Sequence, residues 1–490
     1  MKIYNKISGG AVLSSLLLTA GCADPGGQVM IPENPNIIYI LADDLGYGDL
    51  SFTGQEKFDT PNIDRLIENG MFFTDHYAGS TVSAPSRSSL MTGEHTGNTP
   101  IRGNIEVQPE GQHPLPDDQP GMAKLLQEAG YATGAFGKWG LGFIGTTGDP
   151  NNQGFDIFYG YNCQRIAHRY YPPYIWHNEK QVFLEGNDWT HKEVYAQDVI
   201  QEKALEFIAD NQDNPFFLFV PTLLPHAELI VPDDTIWHRY SDKYPETPWI
   251  NQREGAEYGP GLDPILYASV EKPRATYAAM VARLDMYVGQ IMDKIEALGL
   301  EENTLIMVTS DNGPHQEGGN DPEFFDSRGG FRGYKRDLYE GGIRVPLAAY
   351  WPGVIAKGST SNHVSAFWDM LPTFSELSGA EVPGDIDGIS IVPALLGNKE
   401  DQRQHEYLYW EFHEMNGRQA VRKGKWKAVR YNVFQGDRPT ELYDLQADPS
   451  ESNDLAKKYP EIVQQMEELM IEARTDSDIF DFQATTVSGQ

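Results

Sequence analysis

Two kinds of segment concentrate the residues that could do chemistry. The first is Ser83-Ala84-Pro85-Ser86-Arg87-Ser88-Ser89-Leu90-Met91-Thr92-Gly93. It places a hydroxyl just ahead of a proline-started helix, where free N–H groups and the helix dipole favour an anion. Arg87 follows Ser83 by one turn and can bring a fork-shaped cation to the same spot. Taken alone, a serine in this setting is more often a helix cap. The second kind is acidic: the apolar run Asn36–Ala42 ends in Asp43-Asp44, and Thr304–Thr309 leads into Ser310-Asp311-Asn312-Gly313.

Those acidic pairs need elements to hold them. Continuous apolar runs at Asn36–Ala42, Tyr131–Gly137, Phe216–Pro221 and Thr304–Thr309 suit buried parallel strands. Helical patterns lie between them, over Ile63–Asn69, Met122–Ala129, Ala196–Asp210 and Ala275–Leu298. Strands alternating with helices predict an α/β fold, a large, mostly parallel sheet sandwiched by helices. Ligands in such sheets gather at the carboxyl ends of strands, where Asp43, Asp44, Asp311 and Asn312 fall. Past about residue 400 the texture changes. Tyr407–Phe412, Arg418–Val421, Trp426–Arg430 and Glu441–Asp444 are short strand-like runs, followed by a helix over Glu461–Arg474. They predict a smaller C-terminal α+β domain with an antiparallel sheet.

The 490 residues carry 71 Asp+Glu against 38 Lys+Arg, a net charge of −33. Partners that are nucleic-acid backbones are excluded, since they call for clustered Lys and Arg. At 40% apolar and 11% aromatic the chain is too rich for disorder and too poor for a multi-span membrane protein.

The N-terminus reads as an address. Lys2 and Lys6 precede the short apolar stretch Ala11–Leu18, which ends in Leu18-Thr19-Ala20-Gly21-Cys22. That ending resembles the lipobox of bacterial lipoproteins. The resemblance implies a signal peptide over 1–21, lipidation of Cys22 as the new N-terminus, and an exported, lipid-anchored protein of the outer membrane, periplasmic or surface-facing. Residues 22–34 read as a tether, 35–400 as the main domain and 401–490 as the C-terminal subdomain. Cys163 reads as a buried small apolar residue.

The segment Ser83–Gly93 resembles the sulfatase signature: Cys or Ser, any residue, Pro-Ser-Arg, two residues, Leu, one residue, Thr-Gly. It matches at every fixed position. The resemblance implies the alkaline-phosphatase-like fold and a sulfuric ester hydrolase. It also implies oxidation of Ser83 to formylglycine, with a radical-type maturating enzyme as partner because the residue is Ser and not Cys. Further landmarks follow in the family's order. Asp43, Asp44, Asp311 and Asn312, with the modified Ser83, look like the metal ligands. An all-oxygen set suits the family's calcium, with magnesium the alternative. Gly137-Lys138-Trp139 places Lys138 on the sulfate, and Pro225-His226 supplies the proton donor to the leaving alcohol. Lys335, ahead of Tyr339–Pro346, is a further sulfate contact. One position departs: the family has His where this chain has Gly140, and His315 is a candidate to take over.

Two other readings use the same residues. One is a phosphatase or phosphodiesterase of the same superfamily with Ser83 unmodified; the other is a non-catalytic glycan-binding surface lipoprotein. The expected substrate is a sulfated carbohydrate. Tyr161–Tyr174 is aromatic, basic and turn-rich, which suits a sugar ring bearing anions, and makes His168 and Arg169 candidate substrate contacts. Trp410–His413 is a further stretch expected to reach the cleft. The net charge bears on the substrate through salt, because the field of surface carboxylates fades within about 8 Å at physiological ionic strength. Activity on long polysulfated chains is therefore expected to rise with added salt more than activity on monosulfated sugars, measured as paired initial rates.

Overall fold

The computed structural model describes residues 31–482, apart from 119–120, 260, 264–265 and 437–438. The expected signal peptide and lipidation site, Cys22, lie outside the described residues. Asn36–Ala42 forms the central strand of a ten-stranded sheet. From one edge to the other the sheet runs Ser359–Ser361, Met71–Phe73, Leu347–Tyr350, Thr304–Ser310, Asn36–Ala42, Phe216–Pro221, Ala132–Lys138, Ile157–Tyr161, Tyr174–His177 and Lys180–Phe183. The five inner strands from Thr304–Ser310 to Ile157–Tyr161 are mutually parallel. Antiparallel neighbours close them on both sides, at Leu347–Tyr350 and Tyr174–His177.

Every residue of Asn36–Ala42 is buried, because both faces of the sheet are covered. Side chains alternate between the two faces. Ile38 and Ile40 pack with the helices Pro61–Glu68, Ala196–Asp210 and Pro273–Ala297. Ile37, Tyr39 and Leu41 pack with Ser83–Thr92, Met122–Glu128 and Met370–Ser378 on the other face. Among the described residues no helix is long and apolar enough to cross a membrane.

The second sheet joins Leu408–Phe412, Arg418–Lys423, Trp426–Tyr431 and Glu441–Asp444, all antiparallel. One face meets the helix Pro460–Glu472 through Tyr409, Val421, Leu442, Met466 and Met470. Its other face, with Trp410, Phe412, Ala420 and Val429, packs on Tyr77, Val82, Leu338, Ile343 and Trp368. Trp410 is therefore an interface residue and no cleft contact: its indole donates to the Ala78 carbonyl at 3.0 Å. His413 pairs with the buried Glu411 and stacks on Phe482.

A buried ion cluster crosses this interface. Lys427, from the second sheet, reaches Glu340 at 2.8 Å and Glu451 at 3.0 Å with no exposed side-chain surface. Glu340 also accepts from Tyr77 at 2.6 Å and pairs with Arg344 at 3.2 Å. Burial would raise the Glu340 carboxyl, but Lys427 and Arg344 more than offset it and hold it below the usual range. Removing one partner of a buried pair costs about 3–5 kcal/mol, because the charge left behind stays desolvated. Lys427→Met is accordingly expected to lose stability on that scale, read from the urea unfolding midpoint.

Candidate active site

The site is assembled by register at the carboxyl edge of the sheet. Ala42 pairs with Ser310, so the residues that follow, Asp43 and Asp311, emerge side by side. Two backbone bonds fix the exit: Asp311 N–H donates to the Ala42 carbonyl at 3.0 Å, and Asp43 N–H to the Leu224 carbonyl at 3.0 Å. Asp44 takes a left-handed φ of 67°, which Asp tolerates better than most residues, and its N–H donates to Asp311 Oδ1 at 3.1 Å. Lys138 is the last residue of the strand Ala132–Lys138, and His226 follows the strand Phe216–Pro221.

Ser83 is the first residue of the helix Ser83–Thr92, and no side-chain cap bond is made there. Its Oγ instead donates to Asp43 Oδ1 at 3.1 Å and lies 3.4 Å from Lys138 Nζ. The cap reading is thereby set aside. Lys138 donates to Asp43 Oδ2 at 2.6 Å. Arg87 pairs with Asp311 at 2.9 Å and Asp43 at 3.4 Å, and donates to the Lys138 carbonyl. On the other side Lys335 donates to Asp44 Oδ2 at 2.8 Å and to His226 Nε2 at 3.0 Å. Nucleophile-type hydroxyl, three cations and an imidazole thus converge on three buried carboxylates.

The electrostatics follow from burial among unlike charges. Desolvation alone would raise Asp43, yet Lys138 and Arg87 pull it far below the usual carboxylate range. Asp311 is raised by burial and then by the charge of Asp43. Burial, followed by the neighbouring Lys335, lowers His226 to about 4. The ring is neutral, with Nδ1–H donating to the Ala227 carbonyl and Nε2 accepting from Lys335.

Asp43, Asp44, Asp311 and Asn312 fit a hard cation by donor type, since every ligand atom they offer is oxygen. Asn312 Nδ2 donates to Asp44 at 2.7 Å, while its Oδ1 is buried with no hydrogen-bond partner. The carboxylates of Asp43 and Asp44 also converge with His226, and Asp44 with His315 and Glu317.

Other sequence expectations meet a different geometry. Arg169 is fully buried, pairs with Glu228 at 2.6 Å and donates to the Asp263 carbonyl at 3.1 Å, which ties its loop to two others. His315 has one ring nitrogen facing the Pro225 carbonyl at 3.2 Å and the other accepting from Glu317 N–H at 3.1 Å, so both of its nitrogens are engaged. His168 lies parallel to His226, with ring centroids 5.3 Å apart, and its Nδ1 has no partner. At Gly140, φ is +79° and an added Cβ would stand 2.5 Å from Gln164 Nε2, so Gln164 fills the space a side chain there would take. Cys163 is buried and its thiol is pushed up to about 12, which makes it inert. Glu317, Tyr267 and Gln164 carry no motif signal in the sequence.

Comparison with known proteins supplies the class. The sulfatase family profile matches residues 35–380. A second profile, described as N-sulphoglucosamine sulphohydrolase, C-terminal, matches residues 329–476. The chain is 30% identical to an N-acetylgalactosamine-6-O-sulfatase of Bacteroides thetaiotaomicron, covering 90% of this chain and 94% of the relative. It is 31% identical to human arylsulfatase A, covering 96% and 92%. The crystal structure of Ps i-CgsB in complex with k-i-k-neocarrahexaose superposes with a TM-score of 0.72 at 29% identity, covering 90% and 92%. This chain belongs to the sulfatase family, whose members are sulfuric ester hydrolases.

The acidic cluster makes a checkable claim about a divalent cation. A ligand that binds only the folded state adds about 2.7 kcal/mol of stability at a hundred times its Kd. Calcium or magnesium added after chelation is expected to raise the thermal midpoint accordingly, and Asn312→Ala to abolish most of the rise.

Proposed function

We propose that this protein hydrolyses an O-sulfate on a carbohydrate, with Ser83 converted to formylglycine and calcium held by Asp43, Asp44, Asp311 and Asn312. The observation that carries the reading is the setting of Ser83: its Oγ stands 3.1 Å from Asp43 and 3.4 Å from Lys138, in a buried cluster with Arg87, Lys335 and His226. Relatives named N-acetylgalactosamine-6-O-sulfatase and N-acetylglucosamine-6-O-sulfatase, and the solved relative in complex with k-i-k-neocarrahexaose, support the sugar.

A sulfate ester is an anion that gains charge on its oxygens as the S–O bond breaks. Arg87, Lys138 and Lys335 are the groups that would neutralise it. When formed and loaded, the aldehyde hydrate at position 83 and its cation would supply the attacking oxygen and a second hydroxyl for release of sulfate. His226 Nε2 lies 3.0 Å from the Lys335 ammonium, from which it would take the proton that it passes to the departing alcohol. The stacked His168 stands beside it and is our candidate contact to the sugar. We further assign the chain to an exported lipoprotein anchored through Cys22, matured by a radical-type enzyme.

Mass spectrometry of the Ser83 peptide from protein made with its native maturation system tests this directly. The expected result is a mass shift for oxidation to the aldehyde, with sulfate released from an O-sulfated Gal, GalNAc or GlcNAc and lost in Ser83→Ala. An unmodified Ser83 with phosphate-releasing activity would overturn it. His226→Ala is expected to slow sulfated sugars by about 10²–10⁴-fold while sparing activated aryl sulfates, whose leaving groups need no proton.

A further inference from the structure

Glu317 is a half-buried acid beside the site with no assigned task. Its carboxylate collects three donors: Arg336 at 2.6 Å on Oε1, and Tyr267 at 3.0 Å and Lys335 at 3.3 Å on Oε2. Its backbone N–H is fixed as well, donating to His315 Nδ1 at 3.1 Å, and the far side of that ring is tied to the Pro225 carbonyl beside His226. Burial would raise the carboxyl, but Lys335 and Arg336 hold it well below its ordinary range.

Lys335 has three ammonium protons and three acceptors: Asp44 at 2.8 Å, His226 at 3.0 Å and Glu317 at 3.3 Å. Two of these have other work under the proposed chemistry, Asp44 with the cation and His226 with the leaving alcohol. Glu317 is the acceptor that neither task removes. The adjacent Arg336 holds a left-handed φ of 79°, uncommon outside glycine, and its N–H is pinned to the Thr81 carbonyl at 3.0 Å, two residues before Ser83. Its guanidinium ends on the same Glu317 carboxylate.

We propose that Glu317 is the positioning residue of Lys335: it holds the ammonium against the sulfate, and by gripping Arg336 it fixes the turn that delivers Lys335 beside the helix of Ser83. The identity of the anion rests on the sulfatase reading. The geometry around Glu317 does not.

The test is a double-mutant cycle with two readouts, ester turnover and calorimetric binding of inorganic sulfate. Glu317→Gln is expected to lower kcat/KM by about tenfold to a hundredfold, chiefly in kcat, and to weaken sulfate binding. Glu317→Asp should restore part of both. In the Lys335→Ala background the Glu317→Gln change should have no further effect, because the group it positions is gone. Equal losses in both backgrounds, or unchanged sulfate affinity, would overturn the assignment. Should Glu317→Gln fold poorly, Tyr267→Phe removes one donor to the same carboxylate, and a loss of a few-fold that vanishes without Lys335 supports the role; one that persists overturns it. Coupling seen in sulfate binding without any ester turnover would sink the sulfatase reading alone. Turnover without coupling would sink the role of Glu317 alone.

Discussion

The site depends on one constraint: three carboxylates, Asp43, Asp44 and Asp311, are fully buried at the carboxyl ends of two adjacent parallel strands. Such a concentration of like charge is tolerable in low dielectric only if cations stand within contact distance. Arg87, Lys138 and Lys335 meet that need from a helix, a strand end and a loop. The groups suited to grip an anionic substrate are thus the same ones that make the carboxylates tolerable. A cation bound by those carboxylates competes with the lysines for them, so metal affinity and lysine orientation are two sides of one balance.

The same logic recurs one layer out. Glu340 opens the four-residue helix Glu340–Ile343, just past Lys335, and is held by Lys427 from the second sheet. Tyr77 and Val82, close to Ser83 in sequence, pack on that sheet through Trp410 and Val429. The C-terminal sheet therefore buttresses both the nucleophile helix and the lysine loop. Overlap of the two family profiles across residues 329–380 agrees with this sharing of structure.

How much of this was legible in the sequence varied with the physics of each element. Phe216–Pro221 and Ala196–Asp210 have the expected limits, because a continuous apolar run and a long 3.6-residue pattern leave little freedom. The three-residue strands Met71–Phe73 and Ser359–Ser361 and the hairpin Tyr174–Phe183 were not read, since strands that short carry no pattern of their own. The inner strands are parallel as expected, but antiparallel neighbours on both sides make the whole sheet mixed. At the site, residues fixed to strand ends or to the Ser83 helix could be placed from the chain alone. Arg169 and His315 are harder to read for the reverse reason: a polar loop residue can be engaged by a group distant in sequence, as Glu228 and Pro225 engage these two. Glu317 and Gln164 come from loops whose paths no local pattern encodes.

The burial of Ser83 has a consequence in time. Its side chain is only 3% exposed, at the start of a helix whose preceding residue, Val82, packs on a sheet that begins at residue 408. Under the proposed function, an enzyme that oxidises Ser83 would meet a more open hydroxyl on a chain whose residues from 408 onward have not yet packed against Val82. The order in which these segments pack, and not only the residues present, would then bear on how much of the protein is matured.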